Sequence, residues 1–260
     1  MMKLRYIFLI SAWLLAGAAL AQGHSDTIKV MTFNLHAGHD ASLEQIGLFI
    51  KQYQPDFVAL QEVDQNTHRA NCPHQNGRDF ITELAYYSGM QGLFGPTIEF
   101  SGGHYGIGLL TRHQFVEVHN IKLPHPVERM EQRGLLEGTF ILPDGDTITM
   151  ACTHLEAFDS VSRAAQAPFI LDHFTGSPYP VILAGDFNAS PDDDVIRQLI
   201  SQWFDCTGSD FTFSVSNPHE KIDYILARPK QAWRTIDSQV IPVKLSDHYP
   251  VIATLVIHHN

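Results

Sequence analysis

Val181-Ile182-Leu183-Ala184-Gly185-Asp186-Phe187-Asn188-Ala189-Ser190-Pro191 is an apolar run that ends in two short polar side chains. Val181 to Ala184 reads as a buried strand, Gly185 as a tight exit, and Ser190-Pro191 as the N-cap and first residue of a helix. Asp186 and Asn188 therefore stand at a strand end. A carboxylate there can orient or deprotonate a water, and a carboxamide can donate to a phosphate oxygen or help bind a cation. Gly-Asp-x-Asn also makes ordinary Asx turns, so the chemistry must be argued from the rest of the chain.

The same pattern recurs near the start. Thr27 to Leu35 alternates as a strand and turns polar at Asn34. Ser42 and Gln45 have the spacing of a capping box, and Leu43, Ile46 and Ile50 form one apolar helical face that Pro55 ends. Phe57 to Gln61 is the next buried strand and delivers Glu62 at its end. In such a strand, helix, strand unit Asn34 and Glu62 fall on one sheet edge.

Further along, a loop-like region from Asp64 to Asn76 carries Arg69, Cys72 and His74, and a helix is expected from Arg78 to Ser88, ending at Gly89. Glycines around Tyr105 lead into a strand from Ile107 to Thr111. Leu135 to Leu142 and Thr147 to Leu155 flank Pro143-Asp144-Gly145-Asp146, a hairpin signal, and the second strand carries His154 near its end. Ser160 to Phe174 is amphipathic but contains Pro168, which predicts a kink or a late start. Asp192, Asp193 and Asp194 read better as capping charges in a first helical turn than as a metal site. Asp223 interrupts the apolar strand Ile222 to Leu226, and a buried carboxylate needs a partner. Asp247 and His248 precede the closing strand Val251 to Ile257.

At 260 residues, 44% hydrophobic and 17% charged, the chain suits one large core. Lys3 and Arg5 precede an apolar run from Ile7 to Leu20, and Ala19-Leu20-Ala21 offers a small-x-small site, so residues 1–21 read as a signal peptide and 22–260 as one domain. That predicts a secreted or periplasmic protein with no transmembrane segment in the mature chain. Losing Lys3 and Arg5 takes the formal charge from -11 to -13, which disfavours loose electrostatic binding to nucleic acid or anionic membrane. Of three cysteines, Cys152 lies in a core strand, whereas Cys72 and Cys206 lie in polar surroundings where a disulfide between them stays open.

Taken in order, Thr32-Phe33-Asn34, Gln61-Glu62-Val63-Asp64, Tyr105-Gly106, Thr153-His154-Leu155, Gly185-Asp186-Phe187-Asn188, Ile222-Asp223-Tyr224 and Ser246-Asp247-His248-Tyr249-Pro250 resemble the successive motifs of the endonuclease/exonuclease/phosphatase superfamily. The resemblance spans Thr27 to Ile257. It implies a four-layer α/β sandwich, two facing mixed β-sheets flanked by helices, and hydrolysis of phosphate esters with a divalent metal, Mg²⁺ first and Mn²⁺ or Ca²⁺ as alternatives. By that pattern Glu62 is the principal metal ligand, with Asn34 and Asp247 contributing directly or through water. Asp186 would activate the attacking water and Asn188 would hold it or the phosphate. His154 and His248 would donate to phosphate oxygens, with Asp223 orienting and charging His248.

Two departures narrow the branch. DNA-repair members carry an acid two residues after the Asn, where this chain has His36, and their Gln-Glu motif does not continue as Val63-Asp64. Gln-Glu-Val-Asp with Arg69, Arg133 and the Arg163/Gln166 pair is more similar to secreted, membrane-facing phosphodiesterases of the sphingomyelinase-like and related bacterial groups. Arg69, Tyr105, Arg133 and Arg163 are then candidates for substrate contacts, although Arg69 and Arg133 could equally pair with acids. The expected substrate is a phosphate ester of a small molecule, a lipid head group or a nucleic acid. An extracellular nuclease and an inactive binding module on the same fold are the alternatives. No protein partner is implied, and a monomer is expected.

Overall fold

The computed structural model describes residues 27–258, so the leader read over residues 1–21 lies outside the described residues. The chain runs β1 (Thr27–Asn34), α1 (Leu43–Tyr53), β2 (Phe57–Gln65), α2 (Phe80–Ser88), β3 (Gln91–Phe100), β4 (Gly103–Thr111), β5 (Gln114–Lys122) and β6 (Gly134–Ile141). It continues through β7 (Thr147–His154), α3 (Ser160–Phe174), β8 (Val181–Asp186), α4 (Asp194–Gln202), β9 (Phe204–Asp205), β10 (Asp223–Arg228), β11 (Trp233–Val240) and β12 (Val251–Ile257). Two six-stranded sheets result, ordered β11-β12-β1-β2-β4-β3 and β5-β6-β7-β8-β10-β9. Both are mixed, because β1 pairs with β2 and β7 with β8 in parallel while the other pairings are antiparallel.

Period-two alternation sorts each central strand between two apolar layers. Ile28 and Val30 of β1, Phe57 and Ala59 of β2, Met150 and Cys152 of β7, and Ile182 and Ala184 of β8 fill the space between the sheets. The intervening Met31, Phe33, Val58 and Leu60 meet α1 and α2, and Ala151, Val181 and Leu183 meet α3 and α4. The four-layer sandwich follows from these two faces. Phe57 and Phe140 join the sheets edge to face at 4.9 Å, a contact worth about 0.5–1.5 kcal/mol beyond its burial.

Continued along the inter-sheet face, the same alternation turns polar at one end. Asn34, Gln61, His154, Asp186 and Asp223 occupy the next inward positions, and register aligns them: Asn34 faces Gln61, His154 faces Asp186, and Asp186 faces Asp223. A one-residue slip of β8 would push the Asp186 carboxylate into the helix-covered apolar layer, at a cost on the order of several kcal/mol. Register and site are therefore specified together.

Several local expectations change. Gly185 lies inside β8 rather than at its exit, and a Cβ there would stand 2.0 Å from the Thr153 carbonyl oxygen, so it is needed for close approach of β7 to β8. The helix after Pro191 starts at Asp194, not at Ser190-Pro191, because Asp193 supplies the cap by accepting from the Val195 amide. α2 starts at Phe80 rather than Arg78, because Asp79 caps it by accepting from the Thr82 amide. Pro168 does not interrupt α3: it sits on the exposed face, as does Ala164, whose carbonyl loses its helical donor. The Ser42–Gln45 capping box is present.

Cys72 and Cys206 are both free and buried, at separate places in the fold. The Cys72 thiol lies against the Ala37 carbonyl and His74, while Cys206 packs in the inter-sheet core beside β9. Cys152 is buried as expected, its thiol donating to the Leu60 carbonyl at 3.3 Å, and burial pushes it up to about 12. Thiol titration of unfolded, unreduced protein is expected to find three thiols per chain. A single thiol would restore the Cys72–Cys206 bond.

Candidate active site

Glu62 reaches the site through a bulge. β2 does not stop at Gln61: pairing with β4 shifts register between Leu60 and Val63, and Glu62 takes the left-handed conformation at φ 57°. Such a bulge re-aims a side chain that plain alternation would send to the helix layer. The Asn34 amide nitrogen donates to Glu62 Oε1 at 3.2 Å and to Asp186 Oδ2 at 3.0 Å, joining the two sheets' carboxylates. Asn34 Oδ1 accepts from the His36 amide, which fixes which way the carboxamide points.

Asp186 is the centre of the cluster. Its Oδ1 accepts from the Asn188 amide at 2.8 Å, and Asn188 is held at φ 48° with its side-chain nitrogen donating to the Leu155 carbonyl. Burial first, and then the neighbouring Asp223 carboxylate, push Asp186 up to about 7. The Nε2 atoms of His154 and His248 approach its Oδ2 at 3.5 and 3.7 Å.

The two imidazoles are in different charge states for different reasons. Burial lowers the basicity of His154 well below the ordinary histidine range, and Arg133 and His248 lower it further. Arg133 also settles the tautomer: a guanidinium has no acceptor, so at 3.1 Å it donates to Nδ1 and leaves the proton on Nε2. Burial opposes charge on His248 too, but Asp223 and Asp186 outweigh it and raise it to about 10. His248 Nδ1 donates to Asp223 Oδ2 at 2.9 Å, so its Nε2–H also faces Asp186. Asp223 is the partnered carboxylate that its place in an apolar strand demanded.

The expected arginines are brought to the site already engaged. Arg69 grips Asp64 bidentately at 2.6 and 2.9 Å and lies over the Phe100 and Tyr105 rings. Arg133 is buried between Glu131, at 2.9 Å, and Glu156, at 3.3 Å. Arg163 donates to the Glu156 and Ala157 carbonyls and so clamps the loop after β7. Tyr105 is buried beneath this shell, and burial raises its hydroxyl well above the usual tyrosine range. The sequence reading missed Glu131 and Glu156, which hold Arg133, and Phe213, whose ring lies 4.7 Å from that of His248. Thr212 was missed as well; its hydroxyl accepts from the Ile222 and Asp223 amides. These four lie in polar stretches without a pattern to mark them.

The donor set fits a hard divalent cation at Glu62. Glu62 and Asp247 are half-buried oxygen donors, and among the described residues no hydrogen bond meets Glu62 Oε2. His36 stands beside Asp247, with Nδ1 2.7 Å from Asp40 and 3.8 Å from Asp247. Asp186, Asp223 and His248 also bring ligand atoms within 4.8 Å of one another, but their hydrogen bonds are made among themselves and with Asn34 and Asn188. Asn34, with its oxygen on the His36 amide, would serve a cation through water.

A sandwich with this polar edge defines a phosphate-ester hydrolase fold, and the profile of the Endonuclease/Exonuclease/phosphatase family matches residues 31–248. The chain belongs to that family. Human nocturnin is 29% identical over 168 residues, covering 58% of this chain and 36% of nocturnin, so the match takes in little over a third of that relative's length. An endonuclease/exonuclease/phosphatase from Beutenbergia cavernae superposes with a TM-score of 0.74 at 22% identity, covering 89% of this chain and 72% of that one. A mannosyl-6-phosphatase from Bacteroides thetaiotaomicron gives 0.70 at 17% identity, covering 88% and 100%.

Proposed function

We propose that this chain is a divalent-metal-dependent phosphoesterase, foremost a phosphodiesterase, that activates water for attack on phosphorus. The observation that carries the reading is the convergence on Asp186 Oδ2 of the two imidazole Nε2 atoms of His154 and His248, with the Glu62 carboxylate one amide away. A cation bound at Glu62 and Asp247 would supply charge neutralisation and orientation of the phosphate. Asp186 takes the proton of the attacking water, and the Oδ1 of Asn188, which makes no hydrogen bond among the described residues, accepts from that water and orients it. Neutral His154 and charged His248 donate through Nε2 to the phosphate oxygens as negative charge grows.

A small or lipid-borne ester is favoured over a nucleic acid. Arg69, Arg133 and Arg163 are committed to protein oxygens, and the whole chain carries a formal charge of -11, which disfavours a polyanion. Export to the periplasm or medium belongs to the same proposal and rests on Lys3, Arg5 and the apolar run that follows. Among the described residues no helix is long and apolar enough to cross a membrane. A monomer is proposed with it.

The test is mutational. His248→Ala is expected to lower kcat by about 10²-fold with little change in KM, because the lost donor acts in the transition state. Asp223→Asn should follow in the same direction more weakly, since the imidazole stays in place and loses its charge support. Loss of melting temperature with unchanged kcat per folded molecule would make the pair merely structural.

A further inference from the structure

His154 and His248 both aim Nε2 at Asp186 Oδ2, yet their other ring nitrogens meet partners of opposite kind. Nδ1 of His248 meets a carboxylate, Asp223, and Nδ1 of His154 a guanidinium, Arg133. A carboxylate accepts and so holds a proton on Nδ1, whereas a guanidinium only donates and so holds a lone pair there. What fixes the His154 ring therefore lies behind Arg133.

Two carboxylates orient the buried guanidinium. Arg133 Nε faces Glu156 Oε2 at 3.3 Å, while Nη1 lies 2.9 Å from Glu131 Oε1 and 3.1 Å from His154 Nδ1. The planar fork fixes the directions of Nε and Nη1 together, so gripping one aims the other. Glu156, at 1% exposure, is itself held from several sides. Its Oε1 accepts from the Phe158 amide, and its own amide donates to Gln166 Oε1, both at 3.0 Å. Arg163, one turn earlier in α3, donates to the Glu156 and Ala157 carbonyls at 2.9 Å. Gln166 Nε2 donates to the Pro124 carbonyl, in the loop that delivers Arg133. The loop between β5 and β6 and the loop after β7 are thus fastened to one helix and meet at Arg133 and Glu156. A buried ion cluster adds little net stability over an apolar set of similar volume. An apolar set could not donate to Nδ1.

We propose that Arg133 and Glu156, fastened by Arg163 and Gln166, are positioning residues that keep His154 a neutral imidazole with its proton on Nε2. They act through His154 and do not touch the phosphate. With the proton on Nδ1 instead, Nε2 would be an acceptor and would repel a phosphate oxygen. The inference rests on the phosphoesterase reading for the role of His154, but not for the state of its ring.

Long-range ¹H–¹⁵N NMR of histidine-labelled protein at neutral pH reads the ring directly, with His154→Gln to assign it. The wild type should show a neutral His154 with its proton on Nε2. A proton on Nδ1, alone or in a charged ring, overturns the proposal. Arg133→Met/Glu156→Gln removes both charges of the pair together, so neither is left buried without the other. In this double variant His154 should become a mixture of tautomers or a charged ring. Its kcat should fall about tenfold or more with KM little changed, as for a misplaced reacting group. Loss of kcat with an unchanged His154 spectrum makes the pair merely structural, and an unchanged kcat refutes its part in turnover. Absence of turnover for every ester in the wild type sinks the hydrolysis reading instead, and the two spectra still decide the state of the ring. Should the double variant not fold, Gln166→Met, which keeps every charge and frees the Glu156 amide, replaces it with the same expectation.

Discussion

Asp186→Asn is expected to lower kcat by about 10³-fold, within the range for loss of a positioned general base. Asn keeps the shape and accepts from the Asn188 amide, but it cannot take a proton from water. The same change tests the electrostatics independently of turnover. The folded-state value of about 7 lies above the 3.8 of an ordinary aspartate, so ionising Asp186 opposes folding and wild-type stability falls as pH rises between those values. The melting temperature of Asp186→Asn relative to wild type should therefore climb between pH 5 and pH 8 in metal-free protein. A flat difference would mean that the carboxylate is not perturbed.

The wild-type pH profile follows from the same groups. Asp186 must be ionised to act as base and His248 protonated to act as donor, so kcat/KM should rise through about 7 and fall through about 10. The limbs belong to the coupled set of Asp186, Asp223 and His248 rather than to single residues. Asp186→Asn should remove the acid limb from its residual activity.

Glu62→Gln is expected to abolish most activity, by about 10²-fold or more at fixed subsaturating Mg²⁺. The carboxamide halves the oxygen donors and removes the charge that a hard cation needs. Exhaustive EDTA treatment of the wild type should have the same effect and Mg²⁺ should reverse it. Calorimetric titration with Mg²⁺ separates lost binding from lost folding. Full activity after EDTA, or in Glu62→Gln, would remove the metal from the reaction.

How much of this was legible depended on where a residue sits in its sheet. Central strands buried on both faces, such as Val181 to Ala184 and Phe57 to Gln61, write continuous apolar runs, and the polar residue that ends each run marks the site. The edge strands β3, β5, β9 and β11 have one partner and mixed exposure, so no run announces them. The bulge that turns Glu62 inward is also silent, because a left-handed glutamate has no local signature; the residue was singled out by its place at a strand end and by the resemblance, not by the bulge. Asn34, Asp186, Asp223 and His248, spread over 214 positions of sequence, were grouped by the resemblance, and they lie together because strand ends of the two facing sheets meet at one end of the sandwich. The Asp64 grip on Arg69 and the Glu156 grip on Arg133 were not legible, because pairing among loop charges depends on backbone paths that composition does not encode.

The most direct test of water attack on phosphorus is to hydrolyse bis-p-nitrophenyl phosphate with Mg²⁺ in H₂¹⁸O. One ¹⁸O should enter the p-nitrophenyl phosphate product and none the nitrophenol, at a rate that collapses in Asp186→Asn. Label in the nitrophenol, or no hydrolysis of this diester or of any phosphate ester with Mg²⁺, Mn²⁺ or Ca²⁺, would contradict it.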